Sequence, residues 1–217
     1  MAFTYSVMLD LTERNVLVVG AGKVAVRKVK RLLKSGAKIT VVAPNSSEDL
    51  LALAQCQMIA YIKRPFDLKD IVELEPFLVF AATDNPVLNE TIAQYCTTNN
   101  ILVNAITDPI NGNFSVQAEI KKRNYAVSIS TFGHGPGFSK AMREYLEPVL
   151  DDRLDLAVDV YIGIRQWLFE TQDNTDLRIA CMRRLTLKEI CSMIDEGTTN
   201  YDELLEKVKE WLFCSLD

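Results

Sequence analysis

The sequence predicts an α/β fold: a parallel-sheet first half, then a small α/β segment and a helical C-terminal module. Three observations predict it. Short apolar runs recur between helix-periodic segments as far as residue 106, as strands buried on both faces require. A glycine turn joins the first run to the first helix. From about residue 151 the apolar positions follow helical spacing alone. Without a repeat or low-complexity linker to mark borders, the shifts in pattern place them at 1–112, 113–147 and 148–217.

The first element pair is the most informative. In "NVLVVGAGKVAVRKVKRLLKSGAKITVVAP" (15–44), apolar residues 16–19 run into Gly20-Ala21-Gly22. Val24, Ala25, Val29, Leu32 and Leu33 follow at helical spacing, "SGAK" closes the helix, and "ITVVAP" reads as a second buried strand. A strand, G-x-G-x-x-A and a helix in that order make a Rossmann-type dinucleotide site. Gly20 permits the tight turn, Gly22 lets backbone approach a pyrophosphate, and Ala25 lets helix and strand pack closely. A ribose-binding carboxylate normally ends the second strand. Here the strand ends in Ala43-Pro44-Asn45 and the first acid is Glu48. Asn45 is the candidate ribose partner, and the choice between NAD and NADP stays open.

Further strands are expected at "MIAYIKRPF" (58–66), "FLVFAAT" (77–83) and "ILVNAI" (101–106). "NPVLNETIAQYCTTNN" (85–100) begins with a capping Asn and a Pro, as helices do. Thr83, Asp84 and Asn89 fall at or just past the carboxyl end of the fourth strand, where open α/β sheets bind ligands. Ordinary turn and capping chemistry also favours Asp and Asn there. "NFSVQAEIKKRNYAVSISTFG" (113–133) reads as a short strand or helical turn, a basic turn and a strand, and "GFSKAMREYLEPVL" (137–150) as a helix. Helices are then expected over "RLDLAVDVYIGIRQWLFE", "TLKEICSMID", with Thr186 and Glu189 as a capping box, and "YDELLEKVKEWLFCSLD".

Composition bounds the function. Residues 148–217 hold 15 acidic and 8 basic residues, whereas residues 1–147 hold 14 acidic and 16 basic. The mildly basic body suits a small anionic ligand and is too weak for a nucleic-acid surface. No apolar run reaches a membrane span, and "MAFTYSVMLDLTERN" carries charge too early for a signal peptide, so a cytoplasmic protein is expected. Cys56, Cys96, Cys181, Cys191 and Cys214 are scattered and form no C-x-x-C, so reduced, mostly buried thiols are expected rather than zinc. Arg27, Lys28, Lys121, Lys122, Arg123, Lys140 and Arg143 supply positive charge, most of it read as solvated surface.

Taken in order, "GAGKVAVRK", "RPF" (64–66), "AATDNPVLN" (81–89), "VNAITDP" (103–109), "NF" (113–114) and "SISTFGHGPGFSKAMREYLE" resemble the precorrin-2 dehydrogenases, including the N-terminal module of siroheme synthases. The resemblance spans roughly residues 1–147. It implies NAD-dependent oxidation of precorrin-2, a polycarboxylate tetrapyrrole, to sirohydrochlorin, with ferrous iron as a substrate metal in some members. It implies phosphate contacts at Gly20, Gly22, Lys23 and Val24, and ribose contacts at Pro44 and Asn45. It also implies a homodimer paired through the middle segment, with a substrate cleft near Thr83, Asn104, Ser130, Thr131 and Gly135.

Two positions depart from the family pattern. Thr107 stands where many members carry a catalytic aspartate, leaving Asp108 beside it. Alternation along an extended segment points neighbours to opposite sides, so Asp108 is no automatic replacement. Gly135-Pro136 replaces the usual Ser-Pro. His134, the only histidine, lies in this elbow and is a candidate proton carrier or metal ligand. These departures leave two alternatives: a ferrochelatase or metallochlorin-handling protein with weak dehydrogenase activity, and a non-catalytic NAD sensor.

Overall fold

The computed structural model describes residues 5–106, 111–132 and 135–213. The chain divides into two units, residues 1–116 and 117–217. In the first, β1 (Asn15–Val19), α1 (Lys23–Leu32), β2 (Lys38–Val42), α2 (Glu48–Gln55), β3 (Ala60–Ile62), α3 (Lys69–Leu74), β4 (Leu78–Ala81), α4 (Pro86–Thr98) and β5 (Leu102–Ala105) alternate. The five strands form one parallel sheet in the order β3-β2-β1-β4-β5. The expected strands at 58–66 and 77–83 are shorter in the structure, although Phe77 N–H and Ala82 N–H still donate to Asn15 O and Val19 O of β1.

Alternation along β1 explains why its run is apolar throughout. Val16 and Val18 pack with Ala25 and Val29 of α1, Ile39, Val41, Leu78 and Phe80. Leu17 and Val19 face the other way, onto Ile92, Ala93 and Cys96 of α4 and Val103. Each such side chain removed from water contributes roughly 1.5–3 kcal/mol, so both faces demand hydrophobes. The chain winds outward from β1 to β3 and then returns beside β1 as β4. That reversal opens a crevice at the carboxyl ends of β1 and β4.

The free edge of β5 is covered. Asn113 accepts from Val103 N–H at 2.7 Å through Oδ1 and donates to Ile101 O at 2.8 Å through Nδ2. Asn104 Nδ2 donates to Phe114 O at 3.1 Å, and the Phe114 ring meets Phe80 edge-on at 5.6 Å. One side-chain amide thus replaces a neighbouring strand and blunts the edge.

The second unit opens with an antiparallel hairpin, β6 (Ala118–Lys121) and β7 (Ala126–Ile129), followed by α5 (Pro136–Leu146) and a 3-10 turn over Glu147–Val149. Helices α6 (Asp152–Thr171), α7 (Thr175–Arg184), α8 (Leu187–Asp195) and α9 (Tyr201–Phe213) follow. Helix α6 is the axis of their core: Ala157, Val160, Ile164 and Leu168, at helical spacing, pack with Cys181, Ile190, Leu204, Val208 and Leu212. Gly163 on α6 lets α9 approach; a Cβ there would stand 2.4 Å from Tyr201 Oη. Among the described residues no helix is long and apolar enough to cross a membrane.

Candidate active site

The glycine turn sits on the crevice. Gly20 has φ +105°, and a Cβ on it would lie 2.3 Å from Ala82 O, so no other residue fits. Its N–H donates to Val42 O at 2.9 Å, while Ala82 N–H donates to Val19 O at 2.8 Å, which ties the turn to strands on both sides. Gly22 differs: it precedes α1 in extended conformation, and a Cβ there would meet nothing within 4 Å. No side chain caps α1 and its first turn holds no acid. Its leading N–H groups therefore have no capping side chain, with the positive end of the helix dipole behind them. Lys23 is exposed and Val24 half-buried in that first turn, and Ala25 is fully buried beneath it. Open backbone over Gly22 and an uncapped, acid-free helix start are what a pyrophosphate needs.

Beside the turn, the end of β4 is fixed by one buried amide. Asn89 is fully buried; its Oδ1 accepts from Thr83 N–H at 3.1 Å and lies 2.7 Å from the Thr83 hydroxyl, and its Nδ2 donates to Thr83 O at 3.0 Å. The Thr83 hydroxyl also accepts from Asn85 N–H at 3.2 Å. Asn85 Oδ1 in turn caps α4 by accepting from Leu88 N–H. The structure thus brings Thr83 against the glycine turn and gives Asn89 a positioning role. Pro44 and Asn45 are both exposed at the carboxyl end of β2.

Lys28 is an exception among the basic residues read as solvated, as is the half-buried Lys122, whose Nζ lies 3.1 Å from Asp155 Oδ2. Lys28 Nζ lies 5.3 Å from the centre of the Phe80 ring. Burial, with Arg27 and Arg31 nearby, lowers its pKa to about 8. It lies under the sheet's α1 face rather than at the glycine turn.

The remaining predicted residues divide. Asn104 spends its amide on Phe114 O. Thr131 is buried, 2.8 Å from Ser139 of α5, and Ser130 Oγ accepts from Phe132 N–H. Gly135 has φ +112° and open space around it at the start of α5. Thr107, Asp108 and His134 lie outside the described residues, as does Cys214. Among the described cysteines, Cys96 and Cys181 are buried, Cys191 is half-buried and Cys56 is exposed, so the expectation of mostly buried thiols holds for two. Burial pushes the Cys96 thiol up to about 12 and leaves it inert. No metal-ligating cluster occurs among the described residues.

Sequence reasoning gave no role to a pair at the end of β3. Arg64 grips Asp70 through both terminal nitrogens, Nη1 at 2.9 Å from Oδ2 and Nη2 at 2.5 Å from Oδ1. Asp70 Oδ2 also accepts from Asp67 N–H at 2.9 Å. The guanidinium holds the Asp70 carboxyl below the usual range despite its burial. Neither periodicity nor spacing marks this pair, because six residues of loop and helix bring it together.

A parallel sheet with a glycine turn at its switch point defines an NAD(P)-binding protein of the Rossmann type. The family model described as "Putative NAD(P)-binding" matches residues 7–118. A precorrin-2 dehydrogenase of Bacillus subtilis is 32% identical over 143 residues, which cover 66% of this chain and 86% of the relative. A siroheme synthase of Mannheimia succiniciproducens is 35% identical over 156 residues, 72% of this chain and 32% of the relative. The solved structure of SirC, precorrin-2 dehydrogenase, superposes with a TM-score of 0.79 at 26% identity, covering 95% of this chain and 100% of that one. The chain belongs to the precorrin-2 dehydrogenase family. It spans about a third of the length of the siroheme synthases it matches.

Proposed function

We propose that this chain oxidises precorrin-2 to sirohydrochlorin with NAD⁺ as the hydride acceptor. The observation that carries the reading is the glycine turn: open over Gly22, locked to β4 through Gly20, in a chain of this family. When bound, the nicotinamide supplies the hydride acceptor, and the protein's task is binding and orientation. Gly20, Gly22, Lys23 and Val24 hold the pyrophosphate, Pro44 and Asn45 face the ribose, and the Asn89-fixed Thr83 forms the wall beside the turn. Asn104, Ser130, Thr131 and Gly135 are the proposed substrate-binding residues. Thr107, Asp108 and His134 are the proposed groups for the departing proton.

The same reading includes a homodimer formed through the middle segment. Among the described residues the hairpin β6–β7 is a two-stranded sheet, and no described residue of α5 is buried. Phe138 and Tyr145 are 52% and 75% exposed, seven residues apart on one face of α5.

The deciding experiment is anaerobic incubation of the purified protein with enzymatically made precorrin-2 and NAD⁺, following NADH and the sirohydrochlorin spectrum together. Coupled growth of both is expected. Dinucleotide binding with neither signal would instead favour the sensor reading.

A further inference from the structure

The first unit has an unusual answer to the problem of telling NAD from NADP, one that rests on the glycine turn being a dinucleotide site. In Rossmann-type sites an acid at the end of the second strand binds the ribose and repels a 2′-phosphate, whereas a nearby Arg accepts that phosphate. This chain has no such acid: β2 runs out into Ala43, Pro44 and Asn45. It does have an arginine in the accepting region. Val42 pairs with Ile62 in the sheet, Ala43 N–H donates to Ile62 O at 3.2 Å, and Tyr61 Oη donates to Ala43 O at 3.0 Å. Arg64 N–H donates to that same Ile62 O at 3.0 Å, so Arg64 leaves the sheet beside the end of β2. Taken alone, a half-exposed guanidinium there would favour NADP.

Asp70 changes the balance. Its side chain is 2% exposed, against 44% for Arg64, so the carboxylate is an internal anchor and the guanidinium the outer partner. Both Asp70 oxygens are engaged by Arg64, and Arg64 Nη1 also donates to Pro65 O at 3.1 Å. A bidentate guanidinium–carboxylate pair fixes the fork and cancels its charge. A 2′-phosphate would have to compete with a buried anion that has no other strong cation to turn to among the described residues.

We propose that Asp70 is a specificity-determining positioning residue: by holding Arg64, it withholds an arginine beside the ribose end of β2 and makes the site select NAD over NADP. The selection that a carboxylate on β2 performs elsewhere is done here by a carboxylate on α3.

The test is calorimetric titration of the full chain with NADH and with NADPH, which reads binding without turnover. Wild type is expected to bind NADH more tightly. Asp70→Asn keeps the shape, frees Arg64, and is expected to shift the NADPH-to-NADH affinity ratio toward NADPH by about tenfold or more, the scale of one charge-assisted contact. Adding Arg64→Gln to Asp70→Asn is expected to abolish the gain. Arg64→Gln alone leaves the wild-type ratio unchanged, and this arm decides the matter if Asp70→Asn does not fold. A folded Asp70→Asn protein with the wild-type ratio overturns the inference, as does retention of the gain without Arg64. Loss of NADPH binding in Arg64→Gln alone also overturns it, since Arg64 would then be free in the native protein. A wild type that binds neither nucleotide overturns the dinucleotide reading itself, a result distinct from an unaltered ratio.

Discussion

Single side chains set the geometry at the crevice, and their energetics have signs that can be measured. Asn89 satisfies the backbone N–H and C=O of Thr83 from a fully buried position. Replacing it with Ala leaves those groups unpaired, at about 1–3 kcal/mol each before relaxation. Asn89→Ala is therefore expected to lose about 2–4 kcal/mol of stability by denaturant unfolding and to weaken NADH binding while the glycine turn is unchanged. Lys28 works in the opposite sense. Burial lowers its pKa to about 8 from 10.5, so at neutral pH the folded protein carries a charge it would bind less readily than the unfolded chain does. Between those values the unfolded state holds more protons, and the Lys28 contribution to stability rises with pH through that window. The Phe80 ring returns only about 0.5–1 kcal/mol through cation–π attraction. Lys28→Met is thus expected to raise stability at pH 7 by about 1 kcal/mol and to flatten the profile from pH 8 to 10. An unchanged profile would mean that Lys28 is solvated.

At the level of elements, the hairpin β6–β7 owes its position to α6. Asp155 accepts from Tyr125 Oη at 2.8 Å and from Lys122 Nζ at 3.1 Å, and Asn124 donates to Asp159. Burial and the Asp155 carboxylate push the Tyr125 phenol up to about 12. Asp155→Ala removes the shared acceptor, so the Tyr125 phenol is expected to titrate closer to 10 by ultraviolet absorbance. Amide exchange is expected to quicken across β6 and β7 while α8 and α9 stay protected. These ties also show what is legible in sequence. The strands of the first unit, α1, α4 and the turn between β1 and α1 could be read, because burial on both faces and the glycine geometry leave direct traces in residue type. Helices α2 and α3 left none: at 8 and 6 residues they are too short to show a period. Helix α7 buries only Cys181, so its pattern is nearly uniform. At the site, Gly20, Gly22 and Thr83 were readable from position alone, whereas Arg64–Asp70 and Tyr125–Asp155 depend on side chains meeting across loops or across 30 residues of chain.

For the whole molecule, the distribution of apolar surface argues for assembly. The first unit buries both faces of its sheet and covers the β5 edge with Asn113 and Phe114, though its leading segment leaves Tyr5, Val7 and Met8 exposed. The segment from 118 to 149 is less covered. Among the described residues its hairpin has no third strand, and two strands alone are marginal in water. Its helix leaves Phe138 and Tyr145 in solvent, continued by Val149 at 63% exposure and preceded by Phe132 at 65%. Large apolar side chains gathered in one segment are a surface awaiting a partner, and a two-fold pairing of the segment with itself meets the need with a single kind of contact. The proposed homodimer is expected to persist at micromolar concentration in sedimentation or light scattering. Phe138→Glu with Tyr145→Glu places two charges per subunit at its centre, and is expected to yield a monomer. Because neither residue supports the glycine turn, the monomer should keep NADH affinity close to wild type. If the substrate cleft draws on both copies, precorrin-2 oxidation should fall with dissociation and recover as protein concentration is raised. A doubly substituted protein that remains dimeric would move the interface away from α5, and a wild type that is monomeric at every concentration would leave that apolar face without its partner.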